Sequence, residues 1–164
     1  NTLCAIEGEH TMSNLNVGQR ISDAAKKWLG TPYMNNTMVR GVGVDCAYSL
    51  VAALVDSGVM RADWLEIENY SNEWHLHHSE EKYLKYVQQV ADEVDMTSPI
   101  KEGDFLLYQY GRCISHGAIY VGDGLVIHSF VDYGVIYSKL DDTLFFDKKG
   151  RPRLRAVYRY REEQ

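Results

Sequence analysis

The chain has 164 residues, 45% of them hydrophobic, and a formal charge of −6, a length and balance suited to one soluble globular domain with its own core. That charge argues against nonspecific nucleic-acid binding, which needs a broad cationic surface, and no apolar run approaches the roughly 18 to 20 residues of a membrane span. The cysteines Cys4, Cys46 and Cys113 show no Cys-x-x-Cys spacing and cannot all pair, which excludes a disulfide scaffold and a thiolate zinc site.

The first residues lack the basic-then-apolar order of a signal peptide, and Met12 opens a better-ordered stretch. Residues 1–15 are therefore taken as an N-terminal extension and 16–164 as a single domain. Whether residues 1–11 are a processing remnant, an expression scar or a link to something upstream stays open. From Val17 to Leu29, Ile21, Ala24/Ala25 and Trp28/Leu29 recur at helical spacing, with Gly30 where a left-handed cap belongs. Pro32 then breaks the ladder, and residues 34–44 read as loop. A second, almost wholly apolar helix runs from Cys46 to about Ser57, closed by Gly58.

Between Val59 and His78 the pattern is irregular and aromatic, with Trp64, Tyr70 and Trp74; a connection of that length in a small domain marks a functional loop or lid. Ser79 reads as a helix cap with Glu80 and Glu81 in the first turn, and Leu84, Val87, Val90/Ala91 and Val94 as the apolar stripe of the helix it starts. After Pro99 the period becomes strand-like. Asp104 to Tyr110, Gly117 to Val121, Leu125 to Phe130, Val135 to Leu140 and Leu154 to Tyr160 are short, rich in β-branched and aromatic residues, and separated by turns. Helices first and strands afterwards predict an α+β domain, its N-terminal helices packed on a five- to six-stranded antiparallel sheet.

The stretch Gly41-Val42-Gly43-Val44-Asp45-Cys46 places a cysteine on the first turn of the apolar helix. Unpaired N–H groups and the positive end of the helix dipole favour thiolate there. A buried core cysteine fits the same pattern, so the remaining chemistry decides between them. Ser115 to Val121 and Leu125 to His128 read as a hairpin carrying His116 at the start of one strand and His128 on its partner. A two-residue loop Asp123-Gly124 would pair 119 with 128 and put the imidazoles on opposite faces. A three-residue loop Gly122-Asp123-Gly124 pairs 121 with 125 and 118 with 128, which makes His128 a diagonal neighbour of His116 on one face; we take the three-residue loop. A cysteine at a helix start, a histidine to accept its proton and a polar group to fix that histidine's tautomer make an activated thiol nucleophile.

Gly30-Thr31-Pro32-Tyr33, Val44-Asp45-Cys46, Glu102-Gly103-Asp104-Phe105-Leu106-Leu107, Ser115-His116-Gly117-Ala118-Ile119-Tyr120-Val121-Gly122-Asp123-Gly124 and Ile127-His128-Ser129, in that order, resemble the NlpC-type cell-wall peptidases, which are papain-like cysteine enzymes. The segments Tyr70 to His78 and Gln109 to Arg112 further resemble the branch encoded in phage-tail and prophage gene sets. The resemblance implies a papain-like domain with Cys46 as nucleophile, His116 as general base and acid, and His128 as the orienting third member. It implies Tyr33 and Asp45 as substrate contacts, Asp45 toward an amine, and no metal or cofactor. The implied substrate is the peptide stem or cross-link of peptidoglycan. The implied partners are phage-tail or effector-delivery proteins, with synthesis in the bacterial cytoplasm and delivery to the envelope. Ala47-Tyr48 departs from the Ser-Gly that follows the cysteine in many members, so a substrate contact by that serine is absent.

Other features have plainer readings. Asp45 serves equally as a helix cap, and Tyr33 as a packing residue. Trp64 and Trp74 are core anchors or lid residues; their irregular segment favours the lid, which makes Trp74 a candidate substrate contact. The run His75-Leu76-His77-His78 suits a substrate-facing or solvated loop better than a metal site. Cys4 and Cys113 carry no role. Arg153, Arg155, Arg159 and Arg161 alternate with apolar residues as the solvated face of a half-buried strand.

Overall fold

Helix α1 (Val17–Lys26) starts on a reciprocal cap: Asn16 Oδ1 accepts from Gln19 N at 2.8 Å and the Gln19 side chain accepts from Asn16 N at 3.3 Å. It is shorter than the apolar period predicts. From Lys27 to Leu29 each N–H bonds the carbonyl three residues back, tightening the chain into turns that end at Gly30, φ +84°. Helix α2 (Cys46–Asp56) is capped by Asp45, and Gly58, φ +73°, follows it as expected. Trp28 Nε1 donates to Asp56 Oδ2 at 2.7 Å and joins the two helices. The computed structural model describes residues 16–60, 84 and 87–162. The expected extension 1–15 with Cys4, the aromatic segment with Trp64, Tyr70 and Trp74, the run His75-Leu76-His77-His78 and the cap Ser79 with Glu80 and Glu81 lie outside the described residues.

The described residues form eight strands, numbered in chain order: β1 (Met38–Val39), β2 (Gly43–Val44), β3 (Ala91–Val94), β4 (Phe105–Tyr110), β5 (Cys113–Gly122), β6 (Leu125–Phe130), β7 (Gly134–Lys139) and β8 (Leu154–Tyr160). The first two form a small ribbon inside the expected loop 34–44. The other six make one antiparallel sheet in the order β3-β8-β4-β5-β6-β7. The α+β expectation of helices against an antiparallel sheet therefore holds.

The sixth strand, β3, was expected as the end of a helix. Residues 87–90 are helical, but Ala91–Val94 pair with β8 from Ala91↔Tyr160 to Val94↔Val157. Apolar residues three apart suit a helix face, and they equally suit a strand with a core on each side. Here Ala91 packs into the helix-side core and Val94 against the core beneath the sheet. Arg161 adds a tertiary constraint, gripping Asp92 Oδ1 through Nε and Nη2 at 2.9 and 2.8 Å. The other arginines of this run are likewise engaged: Arg159 forks onto Asp104, Arg153 bonds the Phe146 and Gln109 carbonyls, and Arg155 bonds Gln109.

Two apolar layers result from strand alternation. Ile21, Leu50, Val51, Leu54, Phe105 and Ile119 pack between α1, α2 and one face of the sheet; burying each large aliphatic contributes roughly 1.5–3 kcal/mol. On the other face Leu106, Tyr108, Ala118, Val126, Phe145 and Val157 form a smaller core, closed by the 3-10 turn Thr143–Phe145. Among the described residues no helix is long and apolar enough to cross a membrane.

Candidate active site

Backbone hydrogen bonds converge on Val44, two residues before the candidate nucleophile. Val44 N donates to Pro32 O at 3.0 Å and Met34 N to Val44 O at 3.3 Å, a parallel bridge that lays Tyr33 beside Val44. Ser129 Oγ, from the end of β6, donates to the same Val44 carbonyl at 2.7 Å. Gly30 N donates to Val135 O and Val135 N to Thr31 O, at 3.0 and 2.9 Å. The Gly30-Thr31-Pro32-Tyr33 segment is thus held against both the start of α2 and the edge of the sheet.

Gly134 makes that approach possible. Its φ is +74°, and a Cβ added there would stand 2.5 Å from Thr31 O and 3.2 Å from Pro32 Cα. Gly134→Ala is expected to cost about 2 kcal/mol, from left-handed strain and displacement of the 30–31 segment. Urea unfolding measures it; an unchanged midpoint would show that the segment shifts freely.

The histidines are delivered by a bulged hairpin. Asp123 and Gly124, φ +55° and +74°, form a two-residue turn with Gly122 opposite Leu125, which corrects the expected three-residue loop. The register then shifts between Tyr120 and Gly122, so that Tyr120 faces Val126 and Ile119 faces Ile127. The bulge inserts the residue that the shorter loop omits. Away from the turn the expected register survives, with Ala118 opposite His128 by continuation of the ladder. His116 Nε2 and His128 Nδ1 meet at 2.8 Å. His116 lies within β5 rather than at its start, because the Gly111-Arg112 turn and a bulge beside Tyr108 carry the ladder back to Cys113.

By alternation both rings share the sheet face of Ala118 and Val126, and they are packed by aromatic neighbours. The His116 ring is edge-on to Phe130 at 5.2 Å and to Tyr110 at 5.8 Å; His128 lies 5.2 Å from Phe145. His116 is 6% and His128 1% exposed. On its far side His128 Nε2 meets Ser138 Oγ of β7 at 2.8 Å. Ser138, Phe130 and Phe145 were not singled out in the sequence. Ser138 could have been found by extending the same diagonal rule one strand further, since Val126 faces Ser138 and His128 faces Ile136.

The Cys46 sulfur sits at the strand step that carries His116, with Sγ 3.5 Å from the Ser115 carbonyl. Cys46 is half-buried. Desolvation, then the Asp45 charge, push its thiol up to about 12, while the Ala47 and Cys46 N–H groups pull the other way. The helix start therefore acts in the expected direction but is outweighed, which reverses the expected net preference for thiolate. Burial, then the neighbouring His128, hold His116 well below its usual range; burial brings His128 down to about 4, opposed by the Asp142 charge. At neutral pH the site holds a neutral thiol and neutral imidazoles.

Asp45 caps α2 through Oδ1, which accepts from Tyr48 N at 2.8 Å, and tethers the preceding loop through Oδ2, which accepts from Asn36 N at 2.9 Å. Tyr33 is half-buried, and the pKa of its hydroxyl is raised by burial, then by the charges of Cys46 and Asp45. Trp74 is outside the described residues. Cys113 is half-buried, on β5.

Comparison with solved structures returns this architecture repeatedly. NlpC1 from Trichomonas vaginalis superposes with a TM-score of 0.62 at 18% identity, over 95% of this chain and 46% of that protein. The NlpC/p60 domain of the peptidoglycan hydrolase SagA gives 0.55 at 18%, over 87% and 97%. RipD from Mycobacterium tuberculosis, described as a non-catalytic NlpC/p60 domain protein adapted to peptidoglycan binding, gives 0.53 at 16%, over 90% and 98%. The chain thus spans less than half of the Trichomonas protein, and at these identities the likeness establishes the papain-like fold. No curated protein sequence matches the chain. The NlpC/P60 family model matches residues 30–151, from the Gly-Thr-Pro-Tyr segment through the cysteine and both histidines to the turn before β8, and the chain belongs to that family.

Proposed function

We propose that this chain is a cysteine peptidase that hydrolyses amide bonds in the peptide stem or cross-link of peptidoglycan. The observation that carries the reading is the His116 Nε2 to His128 Nδ1 contact at 2.8 Å, one residue from the carbonyl that the Cys46 sulfur touches. With Nε2 committed to His128, His116 keeps Nδ1 for the thiol. Because thiol and imidazole rest neutral, the proton passes from Cys46 to His116 as sulfur attacks the scissile carbonyl. The Cys46 N–H, in the first helical turn, and the Tyr33 hydroxyl would hold the oxyanion. His116 then protonates the departing amine, and water, giving its proton to His116, releases the acyl-enzyme. Asp45 is proposed, with Tyr33 and Trp74, as a substrate contact.

RipD supports a second reading, a non-catalytic domain that only binds wall; retention of Cys46, His116 and His128 favours the enzyme. Delivery by a phage tail or secretion apparatus belongs to the same proposal and rests on the segments 70–78 and 109–112.

Digestion of purified peptidoglycan, followed by mass spectrometry of the released fragments, tests the reading. New free amine and carboxyl termini within peptides are expected, with glycan linkages intact. Fragments cleaved only in the glycan, or none, would overturn it. Transfer of the acyl group to an added amine in preference to water would reassign the chain as an acyltransferase.

A further inference from the structure

The two imidazoles belong to a longer row. His116 on β5, His128 on β6 and Ser138 on β7 are diagonal neighbours across three adjacent strands, joined by contacts of 2.8 and 2.8 Å. Ser138 is 5% exposed on a face otherwise built from Tyr108, Val126 and Phe145. Among the described residues it is the hydrogen-bond partner of the outer nitrogen of His128.

A row of two neutral imidazoles and a hydroxyl can be ordered in two ways. In one, His116 Nε2–H donates to His128 Nδ1, and His128 Nε2–H donates to Ser138 Oγ. In the other every bond is reversed: the serine hydroxyl donates to His128 Nε2, His128 Nδ1–H donates to His116 Nε2, and His116 carries its proton on Nδ1. Only the first leaves Nδ1 with a lone pair for a thiol proton.

We propose that Ser138 is a positioning residue of this site, accepting from His128 Nε2–H and so selecting the order in which His116 Nδ1 is a base. The role assigned to the base rests on the peptidase reading; the order of protons does not. The physical reason is the cost of a buried unpaired N–H. Phe130 and Phe145 border the His128 ring and offer its Nε2–H no oxygen, and the Asp142 carboxylate, whose charge reaches His128, accepts from Leu144 N. Without Ser138 Oγ, the proton on that nitrogen loses its acceptor, and the tautomer equilibrium of both rings moves toward the unproductive order. The hydroxyl thus acts on Cys46 through two rings, without meeting substrate.

The test reads tautomers directly by nitrogen NMR of histidine-labelled protein at neutral pH, in wild type, Ser138→Ala and Ser138→Thr. Wild type should show His128 protonated on Nε2 and His116 on Nε2, and Ser138→Ala a mixture. Alkylation of Cys46 by iodoacetamide, followed by mass spectrometry of the Cys46 peptide, should slow about tenfold in Ser138→Ala, the worth of one buried hydrogen bond. On wall substrate kcat should fall with KM unchanged. Ser138→Thr, which keeps the hydroxyl, should restore the tautomers and the rate. His128 protonated on Nδ1 in wild type would overturn the proposal, as would a Ser138→Ala variant with unchanged tautomers and alkylation rate. A wild type that shows these tautomers and their loss in Ser138→Ala, yet releases no peptide fragments, rejects the peptidase reading and upholds the relay order.

Discussion

Replacing Cys46 with alanine is expected to lower peptide release from peptidoglycan by at least about 10⁴-fold, because it removes the atom that forms the acyl-enzyme and leaves only oriented binding. Stability should hardly change. The side chain is half-buried, and its sulfur meets the Ser115 carbonyl only at the long distance of 3.5 Å. The cap that starts α2 belongs to Asp45 and its bond to Tyr48 N, which the substitution does not touch. A Cys46→Ala/His116→Ala double variant should be no slower than the single, since a base without a nucleophile has nothing to deprotonate. Assay of released muropeptides alongside thermal melts separates the two effects. Equal release by wild type and Cys46→Ala would remove the thiol mechanism altogether.

Acidification should destabilise the fold well before its carboxylates are exhausted. The folded state holds His116 far below its usual range and His128 at about 4, against 6.5 for the free side chain. Between those values the unfolded chain binds protons that the folded chain refuses, so stability rises with pH there. The contribution is fully present above about 6.5 and is lost as pH falls toward about 4. For His128 alone, buried against Phe130 and Phe145, the shift corresponds to about 3 kcal/mol.

At the alkaline end Cys46 has the opposite sign. Its raised thiol stabilises the fold below about 9, and that contribution disappears as pH climbs toward about 12. Urea titrations of wild type and His128→Gln at pH 7 and pH 4.5 measure the acid effect. The variant, uncharged throughout, should show a clearly shallower fall in stability. Parallel falls in the two proteins would mean that the buried histidines are protonated without penalty. The coupling also bears on chemistry: the burial that keeps these rings neutral keeps His116 ready to accept a proton at neutral pH.

Much of this arrangement was legible because the relevant physics is local. Asp45 before an apolar run predicts a cap and a helix beginning at Cys46, and the cap bond to Tyr48 N is there. Alternation and turn residues locate five strands to within a few residues, since a strand's period and its glycines do not depend on its neighbours. The pairing of the histidines was also legible, although by a compensation: the turn is one residue shorter than expected, and the bulge beside Gly122 restores the register.

Three things required the assembled sheet. The identity of Ala91–Val94 hung on whether cores lie on one side or two, and a spacing of three apolar residues is ambiguous until both exist. Ser138 became part of the site only when β7 docked beside β6, because a diagonal contact depends on the register of a third strand. The sign of the Cys46 shift was the least accessible of all. A helix start lowers a thiol by a contribution that sequence can locate, but desolvation and the Asp45 charge depend on everything packed around the sulfur. By itself, then, the sequence determined the elements, their caps and the order of the chemical groups along the chain. The tertiary structure alone decided which strand joins the sheet edge, what holds His128 and how the protons rest in the site, because burial and strand register are properties of neighbours far apart in the chain.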